Sequence, residues 1–417
     1  MRVLHLLDHS LPQYSGYSFR SRYILRGLKS MGAEVAVVTS ARHGAASGDE
    51  EVFDGIRHFR TARPSRLWSR MQLKIPFWKE RIMTAAMARR LEEVARSFQP
   101  DLIHAHSPFF NGQAAVTVGR RMGIPVVYEI RAFWEDDAVD KGKITEDGFV
   151  YRQVRRLESE VTRAADAVVC ICEGLRKDLV SRGLPPAKIT VVKNGVEPDT
   201  FEPRPKPTDL EERYGFKGKR VLAFIGSFFF YEGLTDLVRA VDRLRRERND
   251  FALLLVGSGE DTPNVEALVR ELGLEDVVRL TGRVPHEEVQ DHYALGDFFI
   301  YPRRSKRLTE KVTPLKPLEA MAMERCTLGS DVGGIRELFE ECGVGETFRA
   351  GDFEDLHRLL NRALDRSDGA LREEGREGRE AVQKIRTWDR TLQPVKTLYE
   401  SLLGSAITED RPEVSVG

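Results

Sequence analysis

The sequence predicts two doubly wound α/β domains of similar size. Short apolar runs rich in Val, Ile and Leu alternate with amphipathic stretches over most of the 417 residues, which is typical of parallel strands covered by helices on both faces. A chain of this length exceeds one ordinary hydrophobic core. Four prolines between residues 198 and 207 interrupt the alternation and mark a linker, because proline fits neither a central strand nor a helix interior.

The first predicted domain covers residues 1–200. Its predicted strands are the apolar runs at residues 2–9, 34–40, 101–107, 125–131, 166–172 and 189–195, with helical patterns between most of them. In such sheets ligands bind beyond the carboxyl ends of the strands. The residues that directly follow each strand are therefore the first candidates for function.

The second predicted domain covers residues 201–385, where the alternation starts again after the linker. Its predicted strands lie at residues 220–227, 251–259, 277–282, 297–303 and 326–331. Only helical patterns follow the segment "GETFRAGD", and they continue to about residue 403.

The composition limits the classes of partner and compartment. The chain has 65 Lys+Arg and 65 Asp+Glu, and this balance offers no support for nucleic acid as a partner. Its four cysteines show neither disulfide nor metal-ligand spacing, and the N-terminal apolar run is too short for a signal peptide. No apolar run approaches the ~20 residues of a membrane span. We therefore expect a cytoplasmic protein.

A basic segment at residues 57–90 has two interpretations. Its Lys and Arg residues are interleaved with Trp68, Phe77 and Trp78. That mixture suits contact with the anionic inner face of a membrane. A solvated segment that leads into a helix explains it as well.

Two strand ends of the first domain carry candidate binding residues. Gly16 and Tyr17 lie in a loop that either presents backbone N–H groups to a sugar or phosphate oxygen or is a plain turn. His104 and His106 are two apart on a strand and so share one face. His106, at the strand end, is the site candidate and His104 is expected to be structural. No third ligand at a recognisable spacing supports a metal.

Glu129 and Arg131 end the following strand, before further acidic residues. In a binding site, Glu129 would hold sugar hydroxyls or act as a base, and Arg131 would bind a phosphate. A solvated ion pair that also includes Glu135 and Asp136 is the alternative.

Two strand ends of the second domain are turns of small residues. Gly226, which Ser227 follows, and Gly257 either let a ligand approach the backbone or form plain strand-end turns. Neither turn completes a dinucleotide fingerprint, and no P-loop sequence occurs. These absences argue against an NAD-dependent oxidoreductase and a P-loop nucleotidase.

The stretch "YPRRSKRLTEKVTPLKPLEAMA" differs from these turns. It follows a strand, and its prolines hold Lys316 and Glu319 about one turn apart at a helix start. We predict a diphosphate site here, with a basic loop that only aids solubility as the alternative. Its basic residues are Arg303, Arg304, Lys306, Arg307, Lys311 and Lys316.

In this order, the segments resemble the family 4 retaining glycosyltransferases with the GT-B architecture, over nearly the whole chain. The matching segments are "YSGYS", "IHAHS", "VVKNGVEPDTF", "IGSFFFYEGLTDLVRA", "LLLVGSGED", "LTGRVPHEEV" and "PLKPLEAMAMERCTLGSDVGGIREL". Two further segments, "YEIRAFWEDDAVDKG" and "YPRRSKRLTEKVTPLKPLEAMA", are similar to exopolysaccharide glycosyltransferases associated with exosortase (PEP-CTERM) systems.

The resemblance implies two Rossmann-like domains that face a cleft, the first completed by helices at about 386–403. It implies metal-independent, retaining hexosyl transfer without a cofactor. The donor would be a nucleotide-diphospho-sugar, UDP- before GDP-linked, and the acceptor a glycan or lipid-linked molecule. Gly16, Tyr17, Glu129 and Arg131 would then serve the acceptor or the sugar.

On the donor side, the resemblance assigns Glu319 to the ribose hydroxyls. Lys316, His106 and Glu310 become the candidate catalytic residues, with Lys316 stabilising the leaving diphosphate. The other residues assigned to the donor are Gly226, Ser227, Gly257, Arg303, Arg304, Thr313, Pro314 and Leu315.

The chain departs from the family pattern at two places. The family glutamate eight residues before Glu319 is replaced by Lys311, and Glu310 is displaced from it by one position.

The second departure concerns the basic pair that neutralises the diphosphate in the family. Ser227 or Phe228 replaces its arginine and Glu232 replaces its lysine, so Lys316 with Arg303 or Arg304 must substitute. The alternative function is a catalytically silent nucleotide-sugar-binding protein.

Overall fold

The computed structural model describes residues 1–43, 48–63 and 77–408. Residues 64–76 of the basic segment at 57–90, including Trp68, lie outside the described residues, so its membrane contact stays a prediction. The chain folds into two compact units. The second unit is Asn194–Thr387, and the first comprises the described residues before and after it. The second unit begins seven residues before the predicted second domain of residues 201–385, so the proline-containing stretch at 198–207 lies inside this unit.

The first unit is built on a sheet of mostly parallel strands. Its described strands are β1 Arg2–Leu7, β2 Glu34–Thr39, β3 Glu50–Phe53, β4 Ile56–Arg60, β5 Leu102–His106, β6 Val126–Ile130, β7 Ala167–Cys170 and β8 Ile189–Val191. They lie in the order β3-β4-β2-β1-β5-β6-β7-β8, and only β3 with β4 pairs antiparallel. The central strands are buried on both faces, which explains their continuous apolar runs.

Helices connect these strands. They are α1 Gly16–Ser30, α2 Trp78–Phe98, α3 Phe109–Met122, α4 Trp134–Asp140, α5 Phe149–Ala164 and α6 Glu173–Ser181, with a 3-10 turn at Pro186–Lys188. The strand register places His5 of β1 opposite His104 of β5, and His106 opposite Glu129 of β6. Polar side chains from three adjacent strands therefore meet inside this sheet.

The second unit, all of whose residues are described, contains a parallel sheet. Its strands are β9 Arg220–Ile225, β10 Phe251–Val256, β11 Val278–Gly282, β12 Phe298–Tyr301, β13 Cys326–Ser330 and β14 Glu346–Phe348. They lie in the order β11-β10-β9-β12-β13-β14. Two doubly wound parallel sheets are thus present, as the sequence predicts.

The helices of the second unit follow its strands. They are α7 Thr208–Tyr214, α8 Leu234–Arg245, α9 Thr262–Glu271, α10 Val289–Leu295, α11 Arg307–Lys311, α12 Lys316–Ala322, α13 Gly333–Cys342, α14 Phe353–Leu364 and α15 Asp368–Ile385. Two 3-10 turns lie at Phe230–Glu232 and His286–Glu288.

The last two helices, α16 Trp388–Thr391 and α17 Gln393–Thr408, belong to the first unit. Trp388 stacks on Tyr23 of α1 with ring centroids 5.2 Å apart. Tyr399 reaches the interior of the sheet, where its hydroxyl lies 2.5 Å from His104 Nδ1. Among the described helices, none is both long and apolar enough to span a membrane.

Candidate functional site

Lys316 is the centre of a charged cluster in the second unit, at the carboxyl ends of β9 and β12. Its Nζ donates a hydrogen bond to Glu232 Oε1 at 2.6 Å. Arg303 Nε lies 3.5 Å from Oε2 of the same carboxylate. The side chains of Arg303 and Glu232 are nearly fully buried, whereas that of Lys316 is 20% exposed. Two cations against one carboxylate leave a net positive charge at this point.

The charges of this cluster depend on each other. Burial lowers the pKa of Lys316, and the adjacent Glu232 carboxylate acts against that shift. Burial opposes the ionisation of Glu232, but Lys316 and Arg303 outweigh it and lower the pKa of this carboxyl. The cluster is therefore an ionised, partly buried network and not a set of independent surface charges.

The two candidate glycines are required by contacts within the protein. Gly226 has a φ of 149°, and a Cβ there would overlap the Lys316 side chain, with Cδ only 2.9 Å away. Gly257 has a φ of 126° and faces the carbonyl of Gly226. Strand-end turns therefore account for both glycines, and the Gly226 turn also holds Lys316 in place. Ser227, next to it, is exposed.

Glu319 lies one turn after Lys316 on α12 and is half-buried. The Tyr293 hydroxyl donates a hydrogen bond to Glu319 Oε2 at 2.7 Å. Within the described residues, Oε1 accepts no hydrogen bond. Burial raises the pKa of Glu319, although Tyr293 and Lys316 act in the other direction. One oxygen of this carboxylate is thus fixed and the other is available to a ligand.

The loop before α12 supplies buried donors. The Thr313 carbonyl accepts a hydrogen bond from Asn194 Nδ2 at 2.9 Å, while its buried hydroxyl has no partner in the described residues. The Tyr301 hydroxyl and Arg303 Nε are likewise buried without a hydrogen bond. Buried donors without acceptors are unfavourable, and an anionic ligand would satisfy them. Pro314 and Leu315, which complete the loop, are half-buried.

Arg304 is not available in the way the sequence predicts. Its guanidinium binds the Asp236 carboxylate through two hydrogen bonds, of 2.7 Å and 2.9 Å, and also donates to Thr235. The same group lies over the Phe230 ring, 4.0 Å from its centroid. Of the two predicted arginines, Arg303 therefore joins Lys316, and Arg304 anchors its loop to α8.

Glu310 holds two loops together. Its Oε1 accepts a hydrogen bond from the Ser305 hydroxyl at 2.6 Å, and its Oε2 accepts one from the Gly333 N–H at 2.8 Å. That N–H lies at the start of α13, where a carboxylate is stabilised by the helix dipole. Both oxygens are engaged, so Glu310 in this conformation has a structural role.

The first unit contains a second charged cluster, centred on Glu129. Glu129 Oε1 accepts hydrogen bonds from Arg131 Nε at 2.8 Å and from Arg20 Nε at 3.0 Å. Glu129 is fully buried and both arginines are nearly so. Arg20 and Arg131 lower the pKa of Glu129 despite its burial. Of the two interpretations of Glu129 and Arg131, the solvated ion pair does not hold, because this pair is buried inside the sheet layer.

His106 is tied into the same cluster through both ring nitrogens. Arg131 Nη2 donates to His106 Nδ1 at 2.8 Å, and His106 Nε2 lies 3.0 Å from His5 Nδ1. Burial, with the nearby Arg131, lowers the pKa of His106 to about 3. The ring is therefore neutral, and because it is also fully buried it positions Arg131 and offers no nitrogen to a ligand.

Three histidines of the first unit lie close to one another inside the sheet. His5, His104 and His106 offer ligand nitrogens within 4.8 Å of one another. However, His104 Nδ1 binds the Tyr399 hydroxyl, and the His5–His106 hydrogen bond uses two further nitrogens. Hydrogen bonding accounts for most of the nitrogens, and we assign no metal here.

The loop after β1 presents Gly16 and Tyr17 differently. Gly16 is exposed at the first position of α1, and the space where a Cβ would lie is open. The Tyr17 ring lies 4.1 Å from the Arg131 guanidinium, and its hydroxyl accepts the Asp8 N–H at 3.0 Å. Tyr17 therefore connects the Glu129 cluster to the surface loop that contains Gly16.

Sequence reasoning missed several members of these clusters. His5 lies in a strand interior, Arg20 in a helix and Tyr293 far from Glu319 in sequence. The sequence indicated Glu232 only as the residue that replaces the lysine of the family, and not as a partner of Lys316. No local pattern marks these residues, and only the folded chain brings them to their partners.

Comparison with known proteins gives matches over both units. Residues 15–195 match the family described as glycosyl transferase 4-like domain, and residues 207–380 match glycosyl transferases group 1. The chain is 28% identical to the sulfoquinovosyl transferase SQD2 of Arabidopsis thaliana over 378 residues, which is 89% of this chain and 68% of that protein.

Solved structures share the fold. Sucrose-phosphate synthase from Thermosynechococcus elongatus is similar with a TM-score of 0.77 at 20% identity, covering 97% of this chain and 100% of that chain. The Anabaena protein Alr3699/HepE in complex with UDP is similar with a TM-score of 0.74 at 14% identity, covering 96% and 100%.

Proposed function

Because this chain belongs to the family 4 glycosyltransferases of the GT-B fold, we propose that it transfers a hexosyl group from a nucleotide-diphospho-sugar. The acceptor is a glycan or a lipid-linked molecule in exopolysaccharide or glycoconjugate synthesis. The anomeric configuration is retained and no metal takes part. We place the donor in the second unit and the acceptor with the first.

The Lys316 cluster is the observation that carries this proposal. Where the family has a lysine for the diphosphate, this chain has Glu232, whose charge alone would repel the ligand. Lys316 and Arg303 both contact that carboxylate and make the net charge of the site positive. We infer that the cations for the diphosphate come from α12 and the end of β12 in this chain, and not from the turn after β9.

The same residues suggest how the reaction proceeds. The bond from the anomeric carbon to the diphosphate oxygen breaks while the acceptor oxygen bonds to that carbon on the same face. The acceptor proton passes to the departing phosphate oxygen. Lys316 and Arg303 stabilise the negative charge that develops there. The free oxygen of Glu319 accepts hydrogen bonds from the ribose, and the Thr313 hydroxyl donates to the phosphates.

UDP is preferred over GDP as the donor nucleotide in this proposal. The Anabaena protein of the same fold was solved with UDP, which supports this preference. Membrane contact near residues 57–90 would bring a lipid-linked acceptor to the first unit, and we keep it as a proposal.

Nucleotide release tests the function directly. Purified protein is incubated with UDP- and GDP-sugars, with and without lipid extract, and the freed nucleotide is measured. We expect acceptor-dependent release that a chelator leaves unchanged, and a product of retained configuration by NMR. Binding without release under every condition would favour a silent binding protein. Lys316→Met should release nucleotide much more slowly. Lys217→Met, which changes an exposed lysine of the same unit, is its control.

A further inference from the structure

A cavity of about 480 Å³ lies at the amino ends of the strands in the second unit. Its lining includes Arg220 at the start of β9, Asp297 before β12 and Cys326 at the start of β13. The amino ends of parallel strands lie at the opposite end of the sheet from the carboxyl ends, where Lys316 lies. The cavity is therefore separate from the proposed donor site.

The lining of this cavity is unequally charged. Five cations and three carboxylates contribute to it. Three of the cations have carboxylate partners: Arg204 with Asp291, Lys206 with Asp297, and Arg220 with Asp368.

The other two cations are Arg325 and Arg372. In the second unit, which is described completely, neither has a carboxylate within the 4.0 Å of an ion pair. Arg372 is exposed, whereas Arg325 is partly buried. Glu324, the third lining carboxylate, acts electrostatically on Arg325, so Arg325, Arg372 and Glu324 together leave one excess positive charge in the cavity.

The Arg325 guanidinium has one buried N–H group, on Nε, that donates no hydrogen bond within the described residues. Its Nη2 donates to the Arg204 carbonyl at 2.8 Å, which fixes the guanidinium against the linker. Burial lowers the pKa of this guanidinium, although the Asp297 and Glu324 carboxylates act in the other direction and neither lies within ion-pair distance. A buried donor on a cation is unfavourable until an anion pairs with it.

We propose that this cavity binds a phosphate-bearing anion through Arg325 and Arg372. The planar guanidinium fork matches two oxygens of a phosphate, and the volume is that of a small-molecule site. The anion occupies the side of the sheet opposite the nucleotide, so it binds in addition to the donor. This site does not depend on the proposed transferase reaction.

The test separates this cavity from the donor site by substitution, because UDP is itself a phosphate-bearing anion that could enter both sites. Inorganic phosphate and a hexose phosphate are titrated against the full chain at constant ionic strength, by calorimetry and thermal shift. We expect saturable binding, weakened about tenfold or more in Arg325→Met and in Arg372→Met, because each removes a charged hydrogen-bond donor. Arg372→Met changes an exposed residue and is expected to fold even where Arg325→Met does not.

Two controls keep their phosphate binding if the proposal is right. Arg239→Met removes an exposed arginine of α8, and Lys316→Met removes the donor-site cation. Vesicles with phosphatidic acid, compared with phosphatidylcholine alone, show whether a lipid headgroup supplies the phosphate. Absence of any Arg372-dependent response to free phosphate, hexose phosphate or phosphatidic acid would overturn the proposal, as would phosphate binding that a folded Lys316→Met protein has lost.

Discussion

Replacing Lys316 with methionine has two effects that can be separated. In Lys316→Met, Glu232 loses its 2.6 Å hydrogen bond and keeps only Arg303, at 3.5 Å. Removing one partner of a buried ion pair costs about 3–5 kcal/mol of stability. Removing a cation from the leaving diphosphate raises the barrier by about 2–4 kcal/mol, or roughly a hundredfold in rate. Lys316→Met should therefore be both less stable and much slower.

A second substitution distinguishes chemistry from folding. Adding Glu232→Gln to Lys316→Met removes the uncompensated carboxylate, so the urea midpoint should move back towards the wild-type value. The rate of sugar transfer should stay low, because the net charge of the cluster returns to its wild-type value but the leaving diphosphate still lacks Lys316 as a charged hydrogen-bond donor. Glu232→Gln alone should bind UDP more tightly, since Lys316 and Arg303 then face the ligand without an opposing charge.

The outcome that would refute this reasoning is specific. If transfer in the double variant recovers together with stability, Lys316 acts only through the fold and the net charge of the cluster, and not as a donor to the leaving diphosphate. Full activity in Lys316→Met, measured beside Lys217→Met at matched folded concentration, would exclude the leaving-group role. Urea unfolding followed by fluorescence and initial rates of nucleotide release provide the two readouts.

Three further predictions concern other residues. UDP affinity should fall as pH decreases through the raised pKa of Glu319, because the ionised carboxylate accepts from the ribose more strongly than the neutral carboxyl does, and Glu319→Gln should remove this part of the pH dependence. Gly226→Ala should slow transfer roughly tenfold or more by displacing Lys316, whereas Gly218→Ala, also at positive φ but in open space, should change stability only. Burial and the neighbouring Glu135 raise the pKa of Glu158 to about 8, so the stability carried by its neutral form should be full below about pH 4.3 and be lost as pH rises through about 8. Unfolding midpoints across this range should show the loss in the wild type but not in Glu158→Gln, and parallel curves for both proteins would contradict it.

Much of the donor site could be predicted because it lies within one short segment. The prolines around Lys316 and the helix that follows are neighbours in sequence, and their local geometry follows from backbone restriction. The partners of this segment could not be predicted in the same way. Glu232, 84 residues away, holds Lys316, and Asp236, 68 residues away, removes Arg304 from the site.

The edge strands illustrate the same limit for the fold. β3, β4 and β14 are short, and polar residues interrupt their apolar pattern, so sequence periodicity did not mark them. The buried central strands were predicted because both of their faces are covered, which leaves continuous apolar runs in the sequence.

The sequence by itself therefore determined the two parallel sheets and the segment that carries Lys316 and Glu319. Each of these depends on residues that are close along the chain. The tertiary structure alone decided which charges are available and which are paired. Arg20, His106, Glu129 and Arg131 come from three elements and the turn after β6, and strand register makes them neighbours. Electrostatic pairing depends on distance through space, and the sequence does not contain that distance.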